Sequence, residues 1–219
     1  MSIESASTIR ARVAEGMVEH APFDGWTRAA FDAAVADSGI DPVLARNALP
    51  GGPADALAAV AAHGDAALLD ALANPTPDEG PADALARAIR VRLEHNAGRE
   101  EAVRQGTAFL AAPANAPLAT RLLHRTADAI RTAAGDCAPG PRGAARRAAV
   151  ASVHAATLLV WLNDDSEGRA DTWAFLERRL TAVIGAGTAA ERGAGRLGAA
   201  LAGFGRDAAA PLRRMRAGA

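Results

Sequence analysis

The sequence predicts an all-α protein: a small three-helix unit of helix-turn-helix type, then a larger helical domain, then an amphipathic C-terminal helix. Three observations carry this. Apolar residues recur at three- and four-residue spacing from end to end, with no run of strict alternation. The apolar half of the composition is mostly Ala, Leu and Val, with no Tyr, and that mixture favours helix over sheet. Capping and turn residues stand between the periodic segments.

In chain order, Ile9, Val13 and Met17 give a first helix one apolar face, and Pro22 with the Asp24-Gly25 turn is expected to end it. Thr27 caps a second helix, whose buried side is Ala30, Phe31, Ala34 and Val35. Gly39 suits a left-handed helix exit, Asp41 caps a third helix, and Pro42 takes its first position. After the break at 49–53 a longer helix places Leu57, Val60, Ala61, Leu68 and Leu72 inward. NPTPDEGP (74–81) is the candidate linker. Beyond it come helices carrying Leu85, Ile89 and Leu93, then Val103, Phe109 and Leu110, then Leu122, Thr126 and Ile130 up to Gly135. A Gly/Pro loop leads to a helix over 144–162. That helix is apolar nearly all round at its C-terminal end and so is expected to sit centrally. Asp171 is placed to cap a helix bearing Trp173, Leu176, Leu180 and Val183. The expected divisions are 1–74, 75–191 and 192–219.

Charge excludes one reading of this plan. A small helix-turn-helix unit before a larger helical domain is the layout of TetR-type repressors. Yet the chain has no Lys, and residues 1–74 hold four Arg (Arg10, Arg12, Arg28 and Arg46) against ten acids, a balance of −6. A DNA reader needs several phosphate contacts from basic side chains. The expected third helix offers only Arg46 and Asn47 as long polar groups, so the unit reads as a packing module with no DNA partner. A TetR-type ligand-responsive regulator is the alternative reading. The single Cys137 excludes an intramolecular disulfide and suits a reducing compartment. The N-terminus has no apolar signal region. The most apolar stretch, 148–162, is short of the ~20 residues that span a bilayer.

Catalytic and metal signals are weak. The five His residues are scattered, with no pair at ligand spacing on one helix face. His154, inside the apolar helix, reads as a core or pocket-lining histidine with a local hydrogen bond. Asp164-Asp165-Ser166 has the form of a paired-carboxylate site but reads as a solvated turn after a helix end. No phosphate-cradling glycine pattern follows a strand. No metal, cofactor or enzymatic activity is therefore expected. A helical domain rich in Ala and Leu can instead hold a long apolar cavity between its helices.

APFDGWT (21–27), AGD (134–136), ARRAAVASVHAATLLVWLNDDS (145–166) and DTWAFLERRL (171–180) together resemble the ubiquinone-biosynthesis accessory family known as coenzyme Q biosynthesis protein nine. The resemblance runs from about Ile9 into the C-terminal region. It implies a TetR-like fold without a DNA role, and binding of lipids with an aromatic head and isoprenoid tail. It further implies presentation of quinone intermediates to demethoxyubiquinone hydroxylase at the membrane, without catalysis. The family's surface patch for that hydroxylase has a Trp where this chain has Arg131 and a Trp-Tyr pair where it has Gly143-Ala144. Asp128, Gly135, Asp136, Arg146 and Arg147 match.

Three groups of site residues follow as expectations. The lipid is placed between the helices after the linker, against Leu85, Ile89, Leu93, Phe109, Leu122, Ile130, Val153, Thr157, Trp161, Trp173 and Leu176. The hydroxylase is placed on Asp128, Arg131, Asp136, Arg142, Arg146 and Arg147. Residues 192–219 carry six Arg against Asp207, a balance of +5, with Leu197, Leu201, Phe204, Leu212 and Met215 at helical spacing. Such a segment can lie reversibly on an anionic membrane, aided by Arg213, Arg214 and Arg216. The expected state is a homodimer in the cytoplasm, peripherally attached to the inner membrane.

Overall fold

The computed structural model describes residues 4–74, 76 and 78–183, and among them all regular structure is helical. The expected membrane segment, with Leu197, Leu201, Phe204, Leu212, Arg213, Arg214, Met215 and Arg216, lies outside the described residues. The chain divides into units 1–177 and 178–219; in the second, residues 178–183 are helical.

The N-terminal unit is α1 (Ala6–Asp24), α2 (Arg28–Asp37) and α3 (Pro42–Ala48). Each start is set by a side-chain cap: Ser5 accepts from Thr8 N–H, Thr27 from Ala30 N–H, and Asp41 from the N–H groups of Val43 and Leu44. The Asp24-Gly25 turn ends α1 as expected, but Pro22 does not break the helix. Pro22 sits within the last turn, where it removes one backbone hydrogen bond. The exit comes three residues later at Gly25, whose φ of 67° an L side chain would resist and whose N–H closes on Ala21 C=O. Ile9, Val13, Met17, Phe31, Val35 and Leu49 fill this unit's core.

The remaining elements are α4 (Pro53–Ala71), α5 (Pro81–Glu94), α6 (Glu100–Ala111), α7 (Ala116–Ala133), α8 (Gly140–Trp161) and a helix α9 over 170–183. The N-terminal helices are not isolated from these. α1 packs on α4 and α6, and α4 packs on α7. Trp26, buried in the α1–α2 turn, donates through Nε1 to Ala102 C=O of α6 at 3.1 Å. A Cβ at Gly106 would come within 3.2 Å of both Leu57 and Trp26, so the bare glycine lets α6 lie close at this junction.

α7 packs on four helices, α4, α5, α6 and α8, whereas α8 meets only α7 and α5 among the helices α1–α8. This corrects the expectation that α8 sits centrally. α8 packs on α7 and α5 through Val150, Val153, Thr157 and Trp161, while Leu159 on its other side is half exposed. α8 also begins a turn earlier than expected, because Pro141 is suited to a first helical turn. Asp171 does not cap α9; it lies inside the helix, and the capping acceptor is Asp164, which takes Thr172 N–H at 2.8 Å.

One buried carboxylate joins three of these helices. Asp65 of α4 accepts from Arg92 of α5 (3.0 Å), Arg125 of α7 (3.1 Å) and Thr126 of α7 (2.9 Å). Asp65→Ala leaves Arg92 as an uncompensated buried cation and should cost about 3–5 kcal/mol in urea unfolding. Glu94→Ala, which breaks the exposed Arg90–Glu94 pair, should cost less than about 1 kcal/mol. Equal losses from both would contradict the assignment.

Candidate functional site

Side chains truncated to alanine leave space between α1, α4, α6, α7 and α8. α1 offers Ala11 and Ala14, and α4 offers Ala58, Ala59, Ala61 and Ala62. The result is a cavity of about 1080 Å³. Its aliphatic lining includes Val18 and Leu57, Val103 and Leu110 of α6, Ala119, Leu122 and Leu123 of α7, and Ala155, Leu158 and Leu159 of α8, while Arg10, Arg12, Glu15, Asp55, Asn96 and Arg99 also border it. This is at or above the ~300–1,000 Å³ typical of pockets that enclose a small organic ligand. The second apolar side of α8 is thereby explained: one side packs on α7 and the other lines the cavity.

The cavity has a polar side. Arg92, Arg125 and Thr126 line it while all three donate to Asp65 behind them. Arg92 also donates to Ala61 C=O (3.4 Å) and Arg125 to Ala58 C=O (3.2 Å), so both guanidinium groups are turned onto α4. Arg92 can lie there because residue 64 is glycine; a Cβ would stand 2.7 Å from the guanidinium carbon.

His154 of α8 also lines the cavity. It is 6% exposed, and Nδ1 is buried with no hydrogen-bond partner. The expectation of a pocket-lining histidine with a local hydrogen bond is therefore corrected at this atom. Burial pushes the ring's pKa down to about 3; the Arg92 cation pushes the same way, and Asp65 opposes. The imidazole is thus neutral at pH 7. An unmet buried nitrogen of this kind costs about 1–3 kcal/mol. Farther along the lining, the rings of His63 and His95 stand 5.5 Å apart. His95 is also held below its ordinary range, by burial and then by Arg92, His63 and Arg99, against Glu15.

Of the residues expected to hold a lipid, only Leu122 lines this cavity. Leu85, Ile89, Leu93, Ile130, Val153, Thr157, Trp161 and Leu176 are buried as packing between helices. Phe109 packs on the core from its edge. Trp173 donates to Gly168 C=O and carries the Arg90 guanidinium 4.7 Å over its ring. The stripes were read from the helices after 81 alone, whereas the cavity draws on α1, α4 and α6 as well. The signals that locate it in the sequence are the alanine run of α4, the polar pair Gly64-Asp65 inside that run, and the second apolar face of α8.

The residues expected to meet the hydroxylase form one charged cluster joining the end of α7 to the start of α8. Arg131 is buried, with only 5% of its surface exposed, and donates to Asp136 (3.1 Å) and to Ala138 C=O (3.2 Å). Arg146 pairs with Asp136 at 3.1 Å and Arg147 with Asp128 at 2.7 Å. Burial alone would raise the Asp136 carboxyl; hydrogen bonds from Arg131, Arg146 and the Ala138 N–H outweigh it and hold the group below its ordinary range. Arg131 is therefore a staple inside the α7–α8 turn, and its burial withdraws it from the surface expected to meet a partner; Arg142 is exposed. The two departures at Arg131 and Gly143 are coupled. Ala138 C=O, held by Arg131, lies 2.0 Å from where a Cβ at Gly143 would stand, so no side chain fits there.

The Asp164-Asp165-Ser166 stretch is a turn, as expected. Asp164 takes hydrogen bonds from Ser166 and Thr172, which hold its carboxyl well below the carboxylate range. Among the described residues no group of three His, Cys, Asp or Glu is placed to hold a metal ion. No described helix is long and apolar enough to cross a membrane.

Residues 116–187, which include α7, α8 and the turn to α9, match the COQ9 family. The chain is 30% identical over 181 residues to the mitochondrial ubiquinone biosynthesis protein COQ9 of Drosophila melanogaster, covering 80% of this chain and 55% of the fly protein. It is 32% identical to the Xenopus tropicalis protein of that name over 108 residues, 49% of this chain and 34% of the frog protein. The chain thus spans about half the length of the fly relative. In fold it is similar to a TetR transcriptional regulator from Nitrosomonas europaea, with a TM-score of 0.64 at 19% identity, over 81% of this chain and 98% of that one.

The buried histidine gives a pH test. His154 protonates near 6.5 when unfolded but only near about 3 when folded. Between those values the unfolded state binds more protons, so stability falls as pH drops below 6.5, by up to about 1.4 kcal/mol per pH unit. His95 adds in the same direction. The lowered carboxylates Glu79 and Asp136 contribute only at more acid pH. His154→Phe should flatten the stability profile from urea unfolding between pH 6.5 and 4.5. An unchanged slope would mean that the ring is not held neutral.

Proposed function

As a relative of the COQ9 family of ubiquinone biosynthesis proteins through residues 116–187, this chain, we propose, is a lipid-binding accessory protein of that pathway. It takes up an isoprenoid quinone intermediate at the membrane and presents it to demethoxyubiquinone hydroxylase, without performing chemistry itself. The observation that carries this reading is the cavity of about 1080 Å³, whose aliphatic walls suit a hydrocarbon tail and whose polar side suits an oxygenated head. Burial of each tail methylene is worth ~0.8 kcal/mol, so a long tail supplies the affinity and the polar side supplies orientation.

The cavity rim includes Leu159, which is half exposed, so a tail can enter from that side of α8. The surface by the α7–α8 turn, with Asp128, Arg142, Arg146 and Arg147, is the proposed hydroxylase contact. Because its charges are paired among themselves, it orients a partner more than it binds one. The TetR likeness supports the fold alone. On α3, where a DNA reader presents several cations, this chain exposes Val43 and Leu44 and a single cation, Arg46.

Bulk placed in the cavity tests the reading. Val103→Trp and Ala119→Trp each project an indole into the space, and both should lower co-purified isoprenoid at least tenfold by mass spectrometry while thermal unfolding stays cooperative. Wild-type amounts of isoprenoid in both variants would move the lipid elsewhere. The membrane proposal for 192–219 has its own test. A chain ending at Gly193 should no longer float with anionic liposomes, while its thermal transition changes little. Flotation that survives truncation would place the attachment outside that segment.

A further inference from the structure

Most polar side chains that border the cavity are committed within the protein. Arg12 donates to Glu4 and to Ser38 C=O, Arg99 donates twice to Glu15, and Arg10 donates through Nε to Ala48 C=O. Thr107 donates to Val103 C=O, Asp55 accepts from Gly51 N–H, and Arg92, Arg125 and Thr126 converge on Asp65. His63, His95 and Asn96 differ. They border the same space, and their side chains make no hydrogen bond among the described residues. The three also stand together. His63, exposed on α4, faces the half-buried His95 with ring centroids 5.5 Å apart, and Asn96 follows His95 in the turn from α5 to α6. That turn is pinned by its own backbone: Asn96 N–H closes on Leu93 C=O, and Arg99 N–H on Asn96 C=O.

We propose that His63, His95 and Asn96 form a head-group subsite of the cavity, and that it takes the acidic head, a carboxylate or a phosphate, of an amphiphile whose tail lies along the aliphatic lining. This rests on the lipid-binding reading and adds to it the place and the charge class of the head. Charge selects the class. After burial, the groups that depress the His95 ring are Arg92, His63 and Arg99, against Glu15, so the potential at the pair is positive. The acids nearby are taken: Asp65 by Arg92, Arg125 and Thr126, and Glu15 by Arg99. A cationic head meets both guanidinium groups. An oxyanion is attracted by them, accepts from two imidazoles and an amide, and favours the charged form of the rings. Binding therefore takes up protons, and affinity for an acidic head rises as pH falls. An amphiphile is favoured over a free anion because Ala59 and Ala62, on the same helix as His63, border the same space as Val103 and Leu110.

The test uses the full chain with two probes that share a tail, dodecanoate and dodecanol, and with acetate as the head alone. Affinities are read by displacement of an environment-sensitive fluorophore. Dodecanoate is largely ionised between pH 6 and 8, so a change in its preference there belongs to the protein. At pH 6 wild type should prefer dodecanoate to dodecanol about tenfold, the worth of one charge-assisted hydrogen bond, and the preference should narrow toward pH 8. His63→Phe with His95→Phe, which keeps the ring pair and removes its donors, should bring the preference near unity and leave dodecanol binding unchanged. His63→Gln with His95→Gln, which keeps donors that cannot charge, should retain part of the preference without its pH dependence. In wild type labelled with ¹⁵N-histidine, the two signals missing from the Gln pair should move toward the protonated position with dodecanoate and not with dodecanol. That spectrum decides the matter if the Phe pair does not fold. A folded Phe pair that keeps the full preference, or histidine signals that dodecanoate leaves unmoved, overturns the assignment. Displacement of dodecanoate by an equal concentration of acetate would make this a free-anion site and overturn the head assignment. Equal binding of dodecanoate and dodecanol by wild type at pH 6 overturns it while leaving the lipid reading intact. Binding of neither overturns both.

Discussion

Asp65 is a carboxylate buried in the middle of an alanine-rich helix, and the interior is arranged to satisfy it. Removing a charge from water is expensive, and one ion pair rarely repays the loss. Here two arginines and a threonine from two other helices supply three donors to its two oxygens. The contact fixes α5 and α7 against α4 at a set height. It also needs Gly64 beside it, since any side chain there would strike the Arg92 guanidinium. The same cluster forms the polar side of the cavity and lies close enough to His154 to bias its protonation. Packing, cavity shape and the electrostatics of the cavity therefore share one group.

The helical order was legible because capping is local chemistry. Thr27, Asp41 and Pro42 act at the positions where they stand in sequence. Where the reading missed, a non-local or competing effect won. Pro22 is tolerated in a last turn, so of the two expected stop signals only the Asp24-Gly25 turn acts. Asp171 lost the capping role to Asp164, an acid seven residues earlier that reaches the same helix start through a folded turn. The central helix was assigned to α8 by its all-round apolar surface, but an apolar face can meet a cavity as well as a core.

The site was less legible for a related reason. Periodicity finds faces that are buried but cannot say whether side chains or empty space lie opposite. Ile89, Leu93 and Ile130 have the same pattern as Leu122, yet only Leu122 borders the cavity. What makes the space is the absence of side-chain volume on α1 and α4, and alanines in a sequence read as helix formers before they read as walls. Arg131 misled in the opposite sense. A charged residue at a position expected on the surface is folded inward, where it holds Ala138 C=O over Gly143. Asp65, one of the ten acids that count against DNA binding, proved to be an interior group.

The central claim is that the ligand occupies the space between α1, α4, α6, α7 and α8. Photo-crosslinking addresses it most directly. The purified chain is loaded with an isoprenoid carrying a diazirine near its ring, irradiated, digested and mapped by mass spectrometry. Adducts should fall within 7–18, 57–63, 92–99, 102–110, 119–126 and 154–159, the segments that wall the cavity. Adducts concentrated on 85–89 or 173–176, where buried side chains pack helix to helix, would contradict the account.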